Sequence, residues 1–155
     1  MKGLKEDPSD LKKNKEAADE LLEELGVSSA PERCVLIIED DKTALKLLEK
    51  LVKKMKFRVH AFEDPIEALK EAKNYVVELL FLDIKLPNIN GLEFLNRLRK
   101  IQKKQDFPVV VVTGYTQKEM VTEILRHDVK GLLAKPLDLN RASHYLESFA
   151  SKAKM

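Results

Sequence analysis

Residues that could bind ions follow four apolar segments of the 155-residue sequence. In chain order they are Glu39, Asp40 and Asp41 after the first segment, Asp83 at the end of the next, then Thr113 with Gly114, and Lys135 before Pro136. If these segments are parallel strands of one sheet, their carboxyl ends share an edge, and ligands bind beyond that edge. The pattern therefore predicts a site where carboxylates, a hydroxyl and an ammonium meet.

The carboxylates of this predicted site need a compensating charge. Two carboxylates about 4 Å apart repel each other by about 4 kcal/mol at an effective dielectric constant of 20. Three of them require raised pKa values or a cation among them. Because oxygen-only ligands favour a hard ion, and few carboxylates leave room for water, we expect Mg²⁺ (or Mn²⁺) at this site.

Alternating strand and helix patterns support the assumed sheet. Five apolar or alternating segments, typical of strands, are each followed by apolar residues at helical spacing. Asp64, Thr116 and Asp138 are expected to cap three of the helices. The predicted strands are 34–39, 57–62, 78–83, 108–113 and 131–135, and the predicted helices are 41–55, 64–74, 90–103, 116–128 and 138–152. Five such units predict an α/β fold, a doubly wound five-stranded parallel sheet with helices on both faces.

The composition excludes several classes of protein. The closest two of the five glycines, Gly114 and Gly131, are 17 positions apart, which excludes a Walker A loop and a GxGxxG motif. One cysteine and three scattered histidines cannot form a disulfide or a zinc cluster, and His127 and His144 are assigned to helices without an acidic partner. No apolar run approaches the roughly 18 residues of a membrane span and no signal peptide opens the chain, so we expect a cytoplasmic protein.

The first 32 residues differ in charge from the rest of the chain. They carry a net charge of −4 and the remainder +6, an asymmetry too mild for a nucleic-acid binder. Leu11, Leu21 and Leu25 lie on one stripe of a predicted helix that ends at Gly26, and residues 27–31 have the composition of a linker. We expect residues 1–32 to form a helical extension that folds back onto its own domain, so that truncation lowers stability. A partner-binding or dimerising helix is the alternative.

Four motifs resemble the receiver domain of two-component response regulators. VLIIEDD (35–41), LLFLDIKLPNINGLE (79–93), VVVVTGY (109–115) and GLLAKP (131–136) occur in that family's order and spacing. We therefore expect a receiver domain over residues 33–153, similar to the single-domain chemotaxis regulators. The resemblance implies a flavodoxin-like sheet with the strand order 2-1-3-4-5.

The resemblance also implies a role for each matched acid. Asp83 matches the aspartate that accepts a phosphoryl group from a histidine kinase or a histidine phosphotransfer protein. Glu39 and Asp40 match the acidic pair that binds magnesium together with Asp83 and the backbone carbonyl of Lys85. Asp41 lies one position beyond that pair, so we expect it to cap the following helix.

The switch implied by the resemblance departs from the family at one position. Thr113 matches the residue whose hydroxyl moves to the phosphoryl group, and Lys135 matches the lysine that pairs with it. The family usually has an aromatic residue three positions before this lysine, where this chain has Leu132. Either Leu132 changes rotamer with a weaker effect, or Tyr115 takes over, or the response is muted. We expect a muted switch centred on loop 113–116, which includes Gly114.

Other functions compete with this interpretation. A haloacid dehalogenase-type phosphatase needs a second aspartate where Lys85 stands, and a degenerate receiver that serves only for docking would not keep the complete set of acceptor residues. A receiver fragment of a hybrid kinase is a further alternative, in which residues 1–32 connect domains. We expect a signalling phosphoacceptor rather than an enzyme, acting on a downstream protein. Direct DNA binding and membrane binding are not expected, and homodimerisation is left open.

Overall fold

A computed structural model describes residues 8–26, 30–102, 106–114 and 117–155 of the chain, which divides into the units Met1–Pro31 and Glu32–Met155. The first unit contains helix α1, Pro8–Glu24. Gly26 follows at φ +74°, the left-handed conformation predicted for the end of this helix. Within the linker, residues 27–29 lie outside the described part.

The second unit alternates strands and helices from its start. Its strands are β1 Glu32–Ile38, β2 Val59–Phe62, β3 Tyr75–Asp83, β4 Val109–Thr113 and β5 Gly131–Ala134. Its helices are α2 Lys42–Lys54, α3 Pro65–Glu71, α4 Gly91–Ile101, α5 Lys118–Leu125 and α6 Leu139–Phe149, with short 3₁₀ turns at Ala72–Asn74 and Ser151–Ala153.

The five strands form one parallel sheet in the order β2-β1-β3-β4-β5, which confirms the predicted topology. The central strands are apolar along their length because both of their faces are covered, as expected of a parallel sheet between helices. Ile38 at the end of β1 is paired with Leu82 near the end of β3. The residues that follow them therefore leave the sheet side by side.

Two apolar cores lie on opposite faces of the sheet. One contains Leu48 of α2 and Leu146 of α6, and the other contains Ala68 of α3, Leu95 of α4 and Ile124 of α5. All five side chains are fully buried. The doubly wound arrangement with helices on both faces is therefore confirmed, and it leaves the carboxyl ends of the strands accessible.

Strand β3 is longer than the sequence predicts. It begins at Tyr75 rather than at Glu78, because a β-bulge accommodates Glu78 as an extra residue between the partners of Cys34 and Val35. The Glu78 carboxylate is almost fully buried and accepts a hydrogen bond from Arg33. Glu78, which was predicted to start the strand, thus lies within it, and Arg33 of β1 balances its charge.

The predicted helix caps depend on local contacts and can be compared directly. Asp41, Asp64 and Asp138 each accept hydrogen bonds from backbone N–H groups of the next turn and cap their helices as predicted. Thr116 lies outside the described residues, and α5 follows Gln117, whose side chain makes no capping bond. Along the described ranges, no helix has both the length and the apolar character needed to cross a membrane.

Candidate functional site

Three carboxylates meet at the carboxyl edge of the sheet. Glu39 and Asp40 follow β1, and Asp83 ends the adjacent strand β3. Each offers one oxygen within 4.8 Å of the other two. Glu39 and Asp83 are buried, with exposed fractions of 1% and 4%, whereas Asp40 is exposed. Strand pairing therefore brings together the acidic set that the sequence predicted.

Lys135 joins the two buried carboxylates from the far side of the site. Its Nζ lies 2.9 Å from Oε1 of Glu39 and 3.2 Å from Oδ2 of Asp83. Its backbone N–H donates to the carbonyl of Thr113 at 3.0 Å, which fixes the residue beside the end of β4. The peptide bond to Pro136 is cis. The ammonium thus bridges the two buried carboxylates of the acidic group.

The titration of the cluster reflects burial and crowding. Burial, and then a hydrogen bond with Asp83, raise the pKa of Glu39 to about 8, against the opposing effect of Lys135. Partial burial and the nearby Asp83 also raise the pKa of Asp40. Burial alone would lower the pKa of Lys135, but hydrogen bonds and charge from Glu39 and Asp83 outweigh it and raise that pKa. The single positive charge of Lys135 therefore does not balance the three carboxylates, as expected from their mutual repulsion.

One buried carboxylate oxygen of the cluster lacks a hydrogen-bond partner among the described residues. Within the described ranges, Oε2 of Glu39 is a buried side-chain oxygen without a hydrogen-bond partner. A buried acceptor without a partner is costly, and in a native site it calls for an ion or a water. The donor set here is made of carboxylate oxygens, which suits a hard divalent cation such as Mg²⁺. The residues present therefore fit a divalent cation.

The cluster opens into a cavity of about 460 Å³. The cavity is lined by Asp40, Asp83, Lys85, Thr113, Gly114 and Lys135. Oδ1 of Asp83 accepts a hydrogen bond from the backbone N–H of Lys85 at 3.2 Å. The structure thus brings together the four strand ends on which the sequence prediction rested. An anionic group entering this cavity would meet Lys135 and the backbone beyond β4.

Gly91 has a closer relation to the site than the sequence revealed. Its N–H donates to the carbonyl of Ile84 at 2.7 Å, and a Cβ built on it would lie 2.3 Å from the backbone oxygen of Asp83. A glycine is therefore required where α4 begins, since any side chain would displace the strand end that carries Asp83. The signal available in the sequence was a glycine placed eight residues after the aspartate.

The structure describes three of the four predicted switch residues, Thr113, Gly114 and Leu132. Thr113 is buried at the end of β4, and Gly114 lines the cavity. Leu132 is half-buried on β5 and packs against the core formed with α3, α4 and α5. Tyr115 lies outside the described residues. The structure thus locates Leu132 in a core rather than in the cavity.

The histidine assignments need a correction. His127 was assigned to a helix without an acidic partner, but it follows the end of α5 and its Nε2 lies 3.6 Å from Oε1 of Glu123. His60 on β2 pairs with Glu32 at 2.8 Å and stacks on Tyr75. The contacts of His60 depend on strand pairing, whereas the Glu123–His127 pair has the i, i+4 spacing of a helix and could have been predicted from the sequence.

Comparison with known proteins places the same residues in a family context. The family model described as "Response regulator receiver domain" matches residues 35–147. The chain is 26% identical over 121 residues to the polar-differentiation response regulator DivK of Brucella ovis, covering 78% of this chain and 98% of DivK. It is 30% identical over 105 residues to the cyclic di-GMP phosphodiesterase response regulator RpfG of Xanthomonas campestris, covering 66% of this chain and 28% of RpfG.

A solved structure shows the same fold. The CheY-like response regulator receiver domain protein from Methanospirillum hungatei superposes with a TM-score of 0.66 at 24% sequence identity. The match covers 77% of this chain and 93% of that protein. The unmatched part of this chain is therefore about a quarter of its length.

Proposed function

The chain belongs to the response regulator receiver domain family, and on that premise we propose that Asp83 accepts a phosphoryl group from a phosphohistidine. The observation that supports this proposal is the joint burial of Asp83 and Glu39 around Lys135, at the mouth of an open cavity. In the transfer, a carboxylate oxygen of Asp83 forms a bond to phosphorus while the P–N bond breaks and the imidazole leaves with the electron pair. The product is an acyl phosphate on Asp83.

Glu39, Asp40 and Asp83 would hold a Mg²⁺ (or Mn²⁺) ion, with the backbone carbonyl of Lys85 as a further ligand. The unpartnered Oε2 of Glu39 and the spacing of the carboxylate oxygens support this assignment. Bound there, the ion would neutralise charge on the transferred group and align it with the attacking oxygen. Asp41 is not part of this set, because its carboxylate caps α2.

Lys135 would hold the phosphoryl group once it is attached to Asp83. Its ammonium lies beside Asp83 and can exchange a carboxylate partner for a phosphoryl oxygen. Thr113 lies at the same edge and would donate its hydroxyl to another phosphoryl oxygen. Thr113, Gly114, Tyr115 and Leu132 are the residues through which we expect the change to reach the surface.

The proposed function is that of a signalling phosphoacceptor and not of an enzyme with a separate substrate. The phosphodonor would be a histidine kinase or a histidine phosphotransfer protein, and the phosphorylated form would bind a downstream protein in the cytoplasm. Homodimerisation, a place within a hybrid kinase and phosphorylation-independent docking are the alternatives. The match to DivK covers 98% of the length of DivK, which is named as a response regulator. This similarity supports the regulatory assignment.

Labelling with a small phosphodonor such as phosphoramidate tests the proposal. Wild-type protein is expected to form an acid-stable, base-labile phosphoprotein that depends on Mg²⁺, and Asp83→Asn is expected to remain unlabelled. Asp41→Asn is the matched control, because it changes a neighbouring carboxylate outside the acidic set and is expected to label like the wild type. Equal labelling of Asp83→Asn and wild type contradicts the assignment, and no labelling of the wild type favours the docking alternative.

A further inference from the structure

Helix α6 packs on strand β5 through the ring of Tyr145, which lies against Gly131. A Cβ built on Gly131 would lie 2.4 Å from ring atoms of Tyr145, so the tyrosine occupies the space that a side chain at 131 would need. Tyr145 is half-buried against the core formed with α2 and stacks on Phe149, with ring centroids 6.3 Å apart. Leu132 packs in the core on the opposite face of the sheet. The aromatic contact of β5 is thus made by the helix and not by the strand.

The amino end of α6 is tied closely to the acidic site. Only Pro136 and Leu137 separate Lys135 from Asp138, whose side chain caps α6 by accepting from the N–H groups of Asn140 and Arg141. The Arg141 guanidinium also donates to the carbonyl of Leu132 at 3.3 Å. A displacement of Lys135 therefore reaches the first turn of α6 through a short, capped connection.

The carboxyl end of α6 is held by a different set of contacts. Residues 150–155, which we call the strap, run along residues 56–58, which precede β2. The carbonyl of Ala153 accepts from the N–H of Arg58, and the N–H of Met155 donates to the carbonyl of Lys56, both at 2.8 Å. Phe57 and Lys154 form an antiparallel bridge, and Ala150 and Ala153 are buried. The strap lies outside the part of the chain that the family model matches.

We propose that α6 is the element that moves on phosphorylation, turning about the end held by the strap, and that the Tyr145–Gly131 contact is where this movement is expressed on the surface. The inference rests on the proposed function, because the movement begins when Lys135 exchanges Glu39 for a phosphoryl oxygen. The displacement is largest at the first turns of α6, near Arg141, and smallest at Ala153.

The consequence is a remodelled cleft on the surface of α6. Asn140, Arg141, His144 and Tyr145 line a depression of about 430 Å³ there. Movement of the first two turns of the helix over β5 changes the shape of this depression and the exposure of the Tyr145 ring. A regulated surface forms in this way although β5, Gly131–Ala134, contains no aromatic residue.

Fluorine NMR on the full chain, labelled with 3-fluorotyrosine, tests this proposal. The chain contains three tyrosines, and single Tyr→Phe variants assign Tyr75, Tyr115 and Tyr145. Beryllofluoride with Mg²⁺ serves as the probe in place of the phosphoryl group. The Tyr145 signal is expected to shift, while Tyr75, stacked on His60 away from α6, is expected to stay unchanged. Amide spectra are expected to show changes that decrease from Asn140 to Ala153.

Two controls separate failure of this proposal from failure of the proposed function. Asp83→Asn is expected to abolish every change, and the absence of any change in the wild type, including the amides of Glu39 and Asp83, contradicts both proposals. Changes confined to residues 113–116, with an unmoved Tyr145, support the loop-centred switch and overturn the movement of α6. Gly131→Ala is expected to shift the Tyr145 signal without beryllofluoride, and an unchanged signal in that variant also counts against the contact.

Discussion

The Nζ of Lys135 lies 2.9 Å from Oε1 of Glu39, although 96 positions separate the two residues in the chain. Because Glu39 is buried and its other oxygen has no hydrogen-bond partner in the described structure, this ion pair only partly offsets the cost of placing a carboxylate there. This cost in stability is consistent with the divalent cation and the phosphoryl group proposed for the site.

Replacing Lys135 by methionine is expected to destabilise the metal-free protein by about 2 kcal/mol, since two buried carboxylates lose a charged hydrogen-bond donor. Urea denaturation in the presence of a chelator measures this change. Lys130→Met is the matched control, because Lys130 is exposed and its ammonium pairs with exposed Asp128, and its effect is expected to stay below about 0.5 kcal/mol. An equal effect of the two substitutions contradicts the central position of Lys135.

Replacing Glu39 by glutamine is expected to stabilise the metal-free protein by about 1–2 kcal/mol, because it removes a buried carboxylate whose ionised form is disfavoured. Mg²⁺ is expected to stabilise the wild type, and this stabilisation is expected to be lost in the same variant. Thermal unfolding with and without Mg²⁺ checks both results. Glu78→Gln serves as the contrast, since that buried carboxylate is paired with Arg33 and its loss is expected to destabilise. Destabilisation by Glu39→Gln would falsify this account of the site.

Replacing Gly91 by alanine is expected to cost about 1–3 kcal/mol of stability, because the added Cβ overlaps the backbone oxygen of Asp83. Helix propensity alone predicts the opposite sign, a gain of up to about 1 kcal/mol. Labelling by phosphoramidate is expected to slow by at least about tenfold, since the acceptor carboxylate is displaced. Gly114→Ala is the control for stability, because a Cβ there meets nothing within 4 Å. Full stability and labelling of Gly91→Ala would exclude the close approach.

The thiol of Cys34 is expected to stay unreactive towards a disulfide reagent at pH 8 in the native protein and to react at once in urea. Burial, with smaller effects of Glu32 and Glu78, raises the pKa of Cys34 from 9.0 to about 12. Because the folded pKa exceeds the unfolded one, the stability linked to this proton is complete below pH 9 and is lost as the pH rises towards 12. Denaturation between pH 8 and 11 is expected to show a smaller decline for Cys34→Ala than for the wild type. Rapid native reaction at pH 8 contradicts the burial of this thiol.

Sequence patterns were sufficient where the interaction is local or periodic. The caps at Asp41, Asp64 and Asp138 were predicted because each acidic side chain bonds N–H groups two or three residues away. The apolar strands, and the acids that follow them, were predicted because burial on both faces leaves a continuous apolar run that ends where the strand leaves the sheet. Those patterns, with the resemblance to the receiver family, determined the fold and the residues of the candidate site.

Contacts between distant segments required the tertiary structure. The unpartnered oxygen of Glu39, the approach of Gly91 to Asp83 and the ring of Tyr145 on Gly131 each depend on positions set by sheet register and helix packing. The bulge at Glu78 shifts that register by one residue, which no local pattern in β3 reveals. The sequence by itself thus determined which residues reach the carboxyl edge of the sheet, because strand order and polarity act on whole elements. Only the tertiary structure decided which atoms are satisfied there and which remain for an ion, because hydrogen bonds depend on displacements of less than 1 Å.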